Sequence, residues 1–237
     1  MPVVSWTIAG SPVNLVWLSC KLIKLLDNDK SLFISSRCGD VCSNKYKTKI
    51  DIFALKPYNV NEEKAKETQN NIIKNYGNQF NNFYGSWVEQ KEFNIDNNYN
   101  TIALEYYIDL KNVKKYGFIL MNIKLSYIIN IILKSLKLLN NNGKFILKLS
   151  MLYNTNMICN LFILLCLLFK KIEINFTVAA FCLFCYDFEK DKYNDKLQIK
   201  IDETVKVRVK YYDSDIEYDL PRSEEHTSEL QSRFGIS

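Results

Sequence analysis

The sequence predicts a doubly wound α/β sheet, mostly parallel, whose last strand runs antiparallel. Three observations carry this. Short apolar runs of strand length alternate along the chain with longer runs of helical periodicity. The chain has 237 residues and is 48% apolar, which suits one sizeable core. The last two apolar runs, KIEINF (171–176) and AFCLFCYDF (180–188), stand too close together for a helical crossover, so they are expected to pair antiparallel.

The elements follow in order. Residues 13–27 have helical spacing in Leu15, Leu18, Leu22, Leu25 and Leu26. Asp27-Asn28-Asp29 is a turn, and SLFIS (31–35) a short buried strand leading into the loop SRCGD. KIDIFAL (49–55) is a second strand, closed by Lys56-Pro57. Residues 59–82 are rich in Asn and Lys and read as mostly helix with a weak apolar stripe. YNTIAL (99–104) is a third apolar run, while 112–121 fits no single template. LSYIINIILKSLKLL (125–139) is a helix stopped by Asn140–Gly143. Strand KFILKL, a loop at Tyr153–Asn156, helix 157–169 and the two closing strands complete the sheet. LQIKID and VKVRVKYY resemble an appended hairpin.

The net charge is +5, which permits a nucleic-acid partner without requiring one. The end of the chain changes style. RSEEHTSELQS (Arg222–Ser232) resembles the translation of a short-read sequencing adapter, so 222–237 is expected to be non-native and the natural chain to be cut near Leu220. Removing its two Arg and three Glu leaves 29 basic against 23 acidic residues, a net +6. The tail also holds the only histidine, His226. The remainder therefore lacks the residue that Ser-His and Cys-His nucleophiles and His metal sites need.

Seven cysteines, an odd number without a preceding signal peptide, predict reduced thiols and an intracellular compartment, cytoplasmic or nuclear. Cys182 and Cys185 lie three apart in a strand-like run and should face opposite ways, which favours buried free thiols over zinc. No metal site is expected. ICNLFILLCLLF (158–169) is the most apolar run but too short to span a bilayer, so stable membrane insertion is not expected.

Open α/β sheets bind ligands at the carboxyl ends of their strands. Lys148 sits near one such end, Glu105 ends another, and Lys24 precedes the first strand. These charges can converge on one cleft. From spacing alone, the plainer reading of three solvated surface charges has the advantage.

The quoted motifs also resemble a known family. GKFILK (143–148), a loop, a Leu-rich helix, FKKIEI and a Cys-containing last strand are similar to the FtsJ-type RNA ribose 2′-O-methyltransferases, nearest the cap-specific mRNA branch. The resemblance covers roughly residues 15–188. It implies a Rossmann-like methyltransferase fold and a Lys-Asp-Lys-Glu active site. SCKLIKLLD puts the first lysine on Lys24, YNTIALE puts Glu105 in the aspartate position, and GKFILK makes Lys148 the central lysine. VAAFCLFCYDF (178–188) puts Ala180 where the glutamate belongs. SSRCGDVC stands at the glycine-rich S-adenosylmethionine loop, with Ser35, Cys38, Gly39 and Asp40 as the implied cofactor contacts. Only Gly39 is a glycine there, so weak cofactor binding is expected.

A ribose hydroxyl is a poor nucleophile until its proton is removed. A lysine can accept that proton only as the neutral amine, which burial and a nearby cation favour, while a carboxylate holds the amine in place. The resemblance thus implies a divergent S-adenosylmethionine-dependent ribose methyltransferase acting on RNA, capped mRNA included. The alternative is a catalytically inactive methyltransferase-like module that binds RNA or protein. Lys206, Arg208 and Lys210 alternate along VKVRVK as candidate RNA contacts, or as the solvated side of an amphipathic hairpin. The expected divisions are 1–190 for the methyltransferase-like domain, 191–221 for appended strands and 222–237 for the tail.

Overall fold

The computed structural model describes residues 2–8, 20–27, 30–36, 46–56, 61–106, 127–150, 155–176, 180–201 and 207–211. Eight strands form one sheet: β1 (Val3–Ile8), β2 (Ser31–Ser35), β3 (Ile50–Ala54), β4 (Phe80–Gly85), β5 (Tyr99–Tyr106), β6 (Leu139–Ser150), β7 (Phe169–Phe176) and β8 (Ala180–Phe188). Their order across the sheet is β4-β3-β2-β5-β6-β8-β7-β1. Every neighbouring pair is parallel except those of β8, which runs antiparallel to both β6 and β7. This is a doubly wound, Rossmann-like α/β sheet with one antiparallel strand, β8. The strand order reverses between β2 and β5, which makes their carboxyl ends the topological switch point.

Helices cover both faces. Helix α1 (residues 20–26) and α2 (Glu62–Tyr76) pack Leu22, Leu26 and Ile72 with Phe33, Ile52, Ala103, Ile146 and Phe184. Helix α3 (residues 127–138) and α4 (Thr155–Leu168) pack Ile128, Ile132, Leu161 and Leu165 with Ile34, Leu104, Leu147 and Leu183 on the other face. Each strand sends alternate residues to the two cores, as the pleat requires. The short helix α5 (Lys190–Lys196) leads to β9 (Leu197–Ile201) and β10 (Val207–Tyr211), an antiparallel pair in a sheet of their own.

Three expectations are corrected. The helix expected over 59–82 stops at Tyr76. The Asn61 side chain caps its start by accepting from the Lys64 N–H, and only Ala65 and Ile72 are buried along it. Phe80–Gly85 then forms edge strand β4, whose asparagines bond inward: Asn82 donates to Asp51 Oδ1 at 3.0 Å and Asn81 to the Lys49 carbonyl at 3.3 Å. Second, Asn140–Gly143 belongs to β6. Tyr99 pairs with Leu139 and Thr101 with Lys144, so the extra residues form a bulge, with Asn142 at φ 58°. Third, β1 is a strand that no periodicity in VVSWTI announced. Among the described residues no helix is long and apolar enough to cross a membrane.

Candidate active site

Strand register sets the site. Ala54, Ser35, Glu105, Lys148, Cys182, Asn175 and Thr7 stand abreast across seven strands, near the carboxyl ends of the parallel ones. Residues abreast in a sheet share a face, and this row belongs to the face carrying α1 and α2. Glu105 and Lys148 are 43 residues apart in sequence and direct neighbours in space. The Lys148 Nζ donates to Glu105 Oε1 at 2.7 Å, with the two side chains 12% and 9% exposed. Low exposure strengthens the pair and keeps its geometry narrow.

The strand ends beside the pair are tied together. The Ser36 N–H donates to the Glu105 carbonyl at 3.1 Å, and the Leu55 N–H to the Ser35 carbonyl at 2.8 Å. The buried Trp87 indole donates to the same Ser35 carbonyl at 3.0 Å. Gln69 of α2 holds Trp87 there by accepting from its backbone N–H at 2.9 Å and from the Ser86 hydroxyl at 3.2 Å.

The lysine that α1 lays against the sheet is Lys21. Its Nζ sits 4.3 Å from the Phe184 ring centroid and donates to Glu173 Oε2 on β7. Glu173 Oε1 pairs with Lys171 at 2.9 Å, and the Tyr186 hydroxyl lies 3.5 Å from Oε2. Burial opposes ionisation of Glu173, but hydrogen bonds from Lys21 and Lys171 outweigh it and hold the carboxyl below its ordinary pKa. Burial first, then the Glu173 charge, raises the Tyr186 phenol. Burial likewise pushes the Cys182 thiol up to about 12, against the nearby Lys148, so this cysteine is a packing residue and not a nucleophile. Cys182 and Cys185 belong to opposite cores, which separates the CLFC thiols.

Of the residues expected at the site, Glu105 and Lys148 come together and Ser35 lies abreast of them. Lys24 is exposed and lines a shallow hollow of about 300 Å³ with Cys20, Lys21 and Leu25. Lys24 is two residues from both Leu22 and Leu26, on the exposed side of α1. Cys38, Gly39, Asp40 and Lys206 lie outside the described residues. Arg208 and Lys210 are at alternate positions of β10, opposite Lys200 and Gln198 of β9. Ala180 pairs with Ser150 at the end of β8. Lys21 and Glu173 escaped sequence reasoning, although signals for both existed. The Leu stripe of α1 excludes Lys24 from its inner side. In KIEINF the apolar Ile172 and Ile174 alternate with Lys171, Glu173 and Asn175, which marks a strand with one polar face.

No family model and no curated protein matches the chain. Solved structures similar to it include an rRNA methylase from Streptococcus thermophilus (13% identity, TM-score 0.46, covering 76% of this chain and 98% of that one). A methyltransferase from Pyrococcus furiosus is similar at 14% identity and TM-score 0.41, covering 76% and 84%. An RNA methyltransferase from Salinibacter ruber, in complex with S-adenosyl-L-homocysteine, is similar at 11% identity and TM-score 0.39, covering 83% and 98%.

Proposed function

We propose that this chain is a divergent S-adenosylmethionine-dependent RNA ribose 2′-O-methyltransferase, with capped mRNA as the substrate that the motif resemblance favours. The observation that supports it most is the Glu105–Lys148 pair, nearly buried, with Glu105 on one of the two strands that flank the topological switch point. A shielded acid–lysine pair at the ligand edge of an α/β sheet has the composition of a proton-transfer site.

The described residues fit the cofactor in its chemistry. Ser35 and Ser36 are small and buried at the end of β2, and the Glu105 carboxylate lies alongside, an environment suited to a cationic sulfonium bearing ribose hydroxyls. Ser35 with Cys38, Gly39 and Asp40 would hold it, and it would supply an electrophilic methyl group. The chain's own residues do the rest. Lys148, once its amine is neutral, would take the proton from the ribose hydroxyl at Nζ. Glu105 fixes the direction of that amine. Lys24, on the exposed side of α1, would be the nearby cation that the motif resemblance implies. The basic positions of β9 and β10, Lys200, Arg208 and Lys210, with Lys206 preceding, meet phosphates.

Methyl transfer from labelled S-adenosylmethionine to capped and uncapped RNA tests this. The wild type transfers, and Lys148→Ala loses about 10²–10⁴-fold in rate, the usual contribution of a general base. Transfer undiminished in Lys148→Ala would overturn the assignment. Ala180, a position without a carboxylate on β8, favours the second reading, an inactive RNA-binding module. That reading predicts RNA binding with no transfer by the wild type.

A further inference from the structure

The site face carries two acid–lysine pairs, and the second has no part in proton transfer as described above. On β8 the residues of this face are Cys182, Phe184 and Tyr186, none of them acidic. Glu173 stands one strand over, paired in register with Phe184. It is held by ammonium groups from two directions, Lys21 descending from α1 and Lys171 from its own strand. Phe184, over which the Lys21 ammonium sits, is two residues along β8 from Cys182, the register partner of Lys148, and Lys148 is the register partner of Glu105. The Lys21 ammonium therefore stands on the same face as two carboxylates, Glu173 beside it and Glu105 two strands from β8.

We infer that Glu173 is a positioning residue: it anchors the Lys21 ammonium over Phe184, and so leaves Glu105 to orient Lys148. The inference rests on the methyl-transfer reading for its consequence, but not for its geometry. Glu173 lies on the far side of β8 from Lys148, so its role is exerted through Lys21. With Glu173 neutral, the attraction that remains for Lys21 includes Glu105, and a carboxylate shared between two ammonium groups no longer fixes either. A charge on β7 thus substitutes for the carboxylate that β8 does not present at Ala180.

The test compares Glu173→Gln, Glu173→Asp and Lys21→Met in the full chain, with NMR of the lysine side-chain amines in the absence of cofactor and RNA. In Glu173→Gln the Lys21 and Lys148 amine signals both move, and Glu173→Asp, which keeps the charge, restores them. Lys21→Met removes the competitor, so it leaves the Lys148 signal close to its wild-type position. It also serves as the measurement if Glu173→Gln does not fold. In turnover, Glu173→Gln lowers kcat about tenfold or more with KM for RNA within about twofold, because an orienting contact is lost and substrate binding is not. The inference is overturned if the Lys148 signal is unmoved in Glu173→Gln, or if it moves as far in Lys21→Met. If the amines respond as expected but the wild type transfers no methyl group, the positioning stands and the reaction assigned above falls.

Discussion

Removing a solvated surface lysine changes stability by under about 0.5 kcal/mol. Lys148, 12% exposed and bonded to Glu105 at 2.7 Å, is not such a residue. Lys148→Ala strands a nearly buried carboxylate, so it should lower stability by about 1–3 kcal/mol in chemical denaturation. Adding Glu105→Gln should recover part of the loss, since the stranded charge is then gone. Glu173 gives a second test, through pH. Its folded-state pKa lies below the ordinary 4.5. The stability it contributes is complete above that ordinary value and is lost as pH falls through the lower, folded value. The difference in denaturation midpoint between wild type and Glu173→Gln should therefore be largest near neutrality and shrink as pH falls below 4.5. A difference constant over that range would mean that the Lys21 and Lys171 bonds do not favour the ionised form.

At the scale of elements, legibility followed burial. SLFIS, KIDIFAL, KFILKL and AFCLFCYDF are covered on both faces, so they read as continuous apolar runs. The two edge strands did not. β1 exposes Val3 at 67% and Val4 at 43%, and β4 places Asn81 and Asn82 where alternation would need apolar residues. β1 is held by its pairing with β7, and β4 by pairing and the Asn81 and Asn82 bonds, none of which leaves a period in the sequence. The site was legible in the same measure. Glu105 and Lys148 lie on strands that hydrophobic runs identify, and parallel register does the rest. The place of Lys21 depends on the rotation of a helix, and that of Glu173 on which face of β7 meets α1. The turn closing β4 offers a test of local geometry. Gly85 has φ 71°, and a Cβ there would lie 2.2 Å from the Ala54 carbonyl oxygen. Gly77, at φ −57° after α2, leaves a Cβ at an ordinary 3.8 Å from Ile73. Gly85→Ala should lower the melting temperature by several degrees, whereas Gly77→Ala should leave it unchanged or raise it, by up to about 1 kcal/mol of stability. Equal effects would mean that the β3–β4 connection is not held as described.

For the molecule as a whole, the proposed cofactor binding turns on what the carboxyl edge of the sheet offers a ligand. Three strand ends meet there: β2 with Ser35, β3 with Leu55 and β5 with Glu105. Their backbone groups are already engaged, the Ser36 and Leu55 N–H groups with neighbouring carbonyls and the Ser35 carbonyl with Trp87 as well. Close approach to a ligand then falls to the segment that follows β2 in the sequence. SSRCGDVC has one glycine, Gly39, between Cys38 and Asp40, and only a glycine omits the Cβ that keeps a ligand from the main chain. S-adenosylmethionine is accordingly expected to bind this chain with a dissociation constant of about 100 μM or weaker. By mass action, 1 mM cofactor then stabilises the fold by at most about 1.4 kcal/mol, a shift of roughly 3–6 °C in a domain of this size. Calorimetric titration and a thermal-shift series in cofactor concentration should agree on that ceiling. A low-micromolar constant, or a shift well above the ceiling at 1 mM, would show that the side chains after β2 reproduce what a glycine-rich turn supplies through its backbone. Replacing Cys38 with glycine should then leave the affinity unchanged. If the weak binding does come from the lost glycines, the same replacement should tighten it several-fold without altering the melting temperature of the free chain.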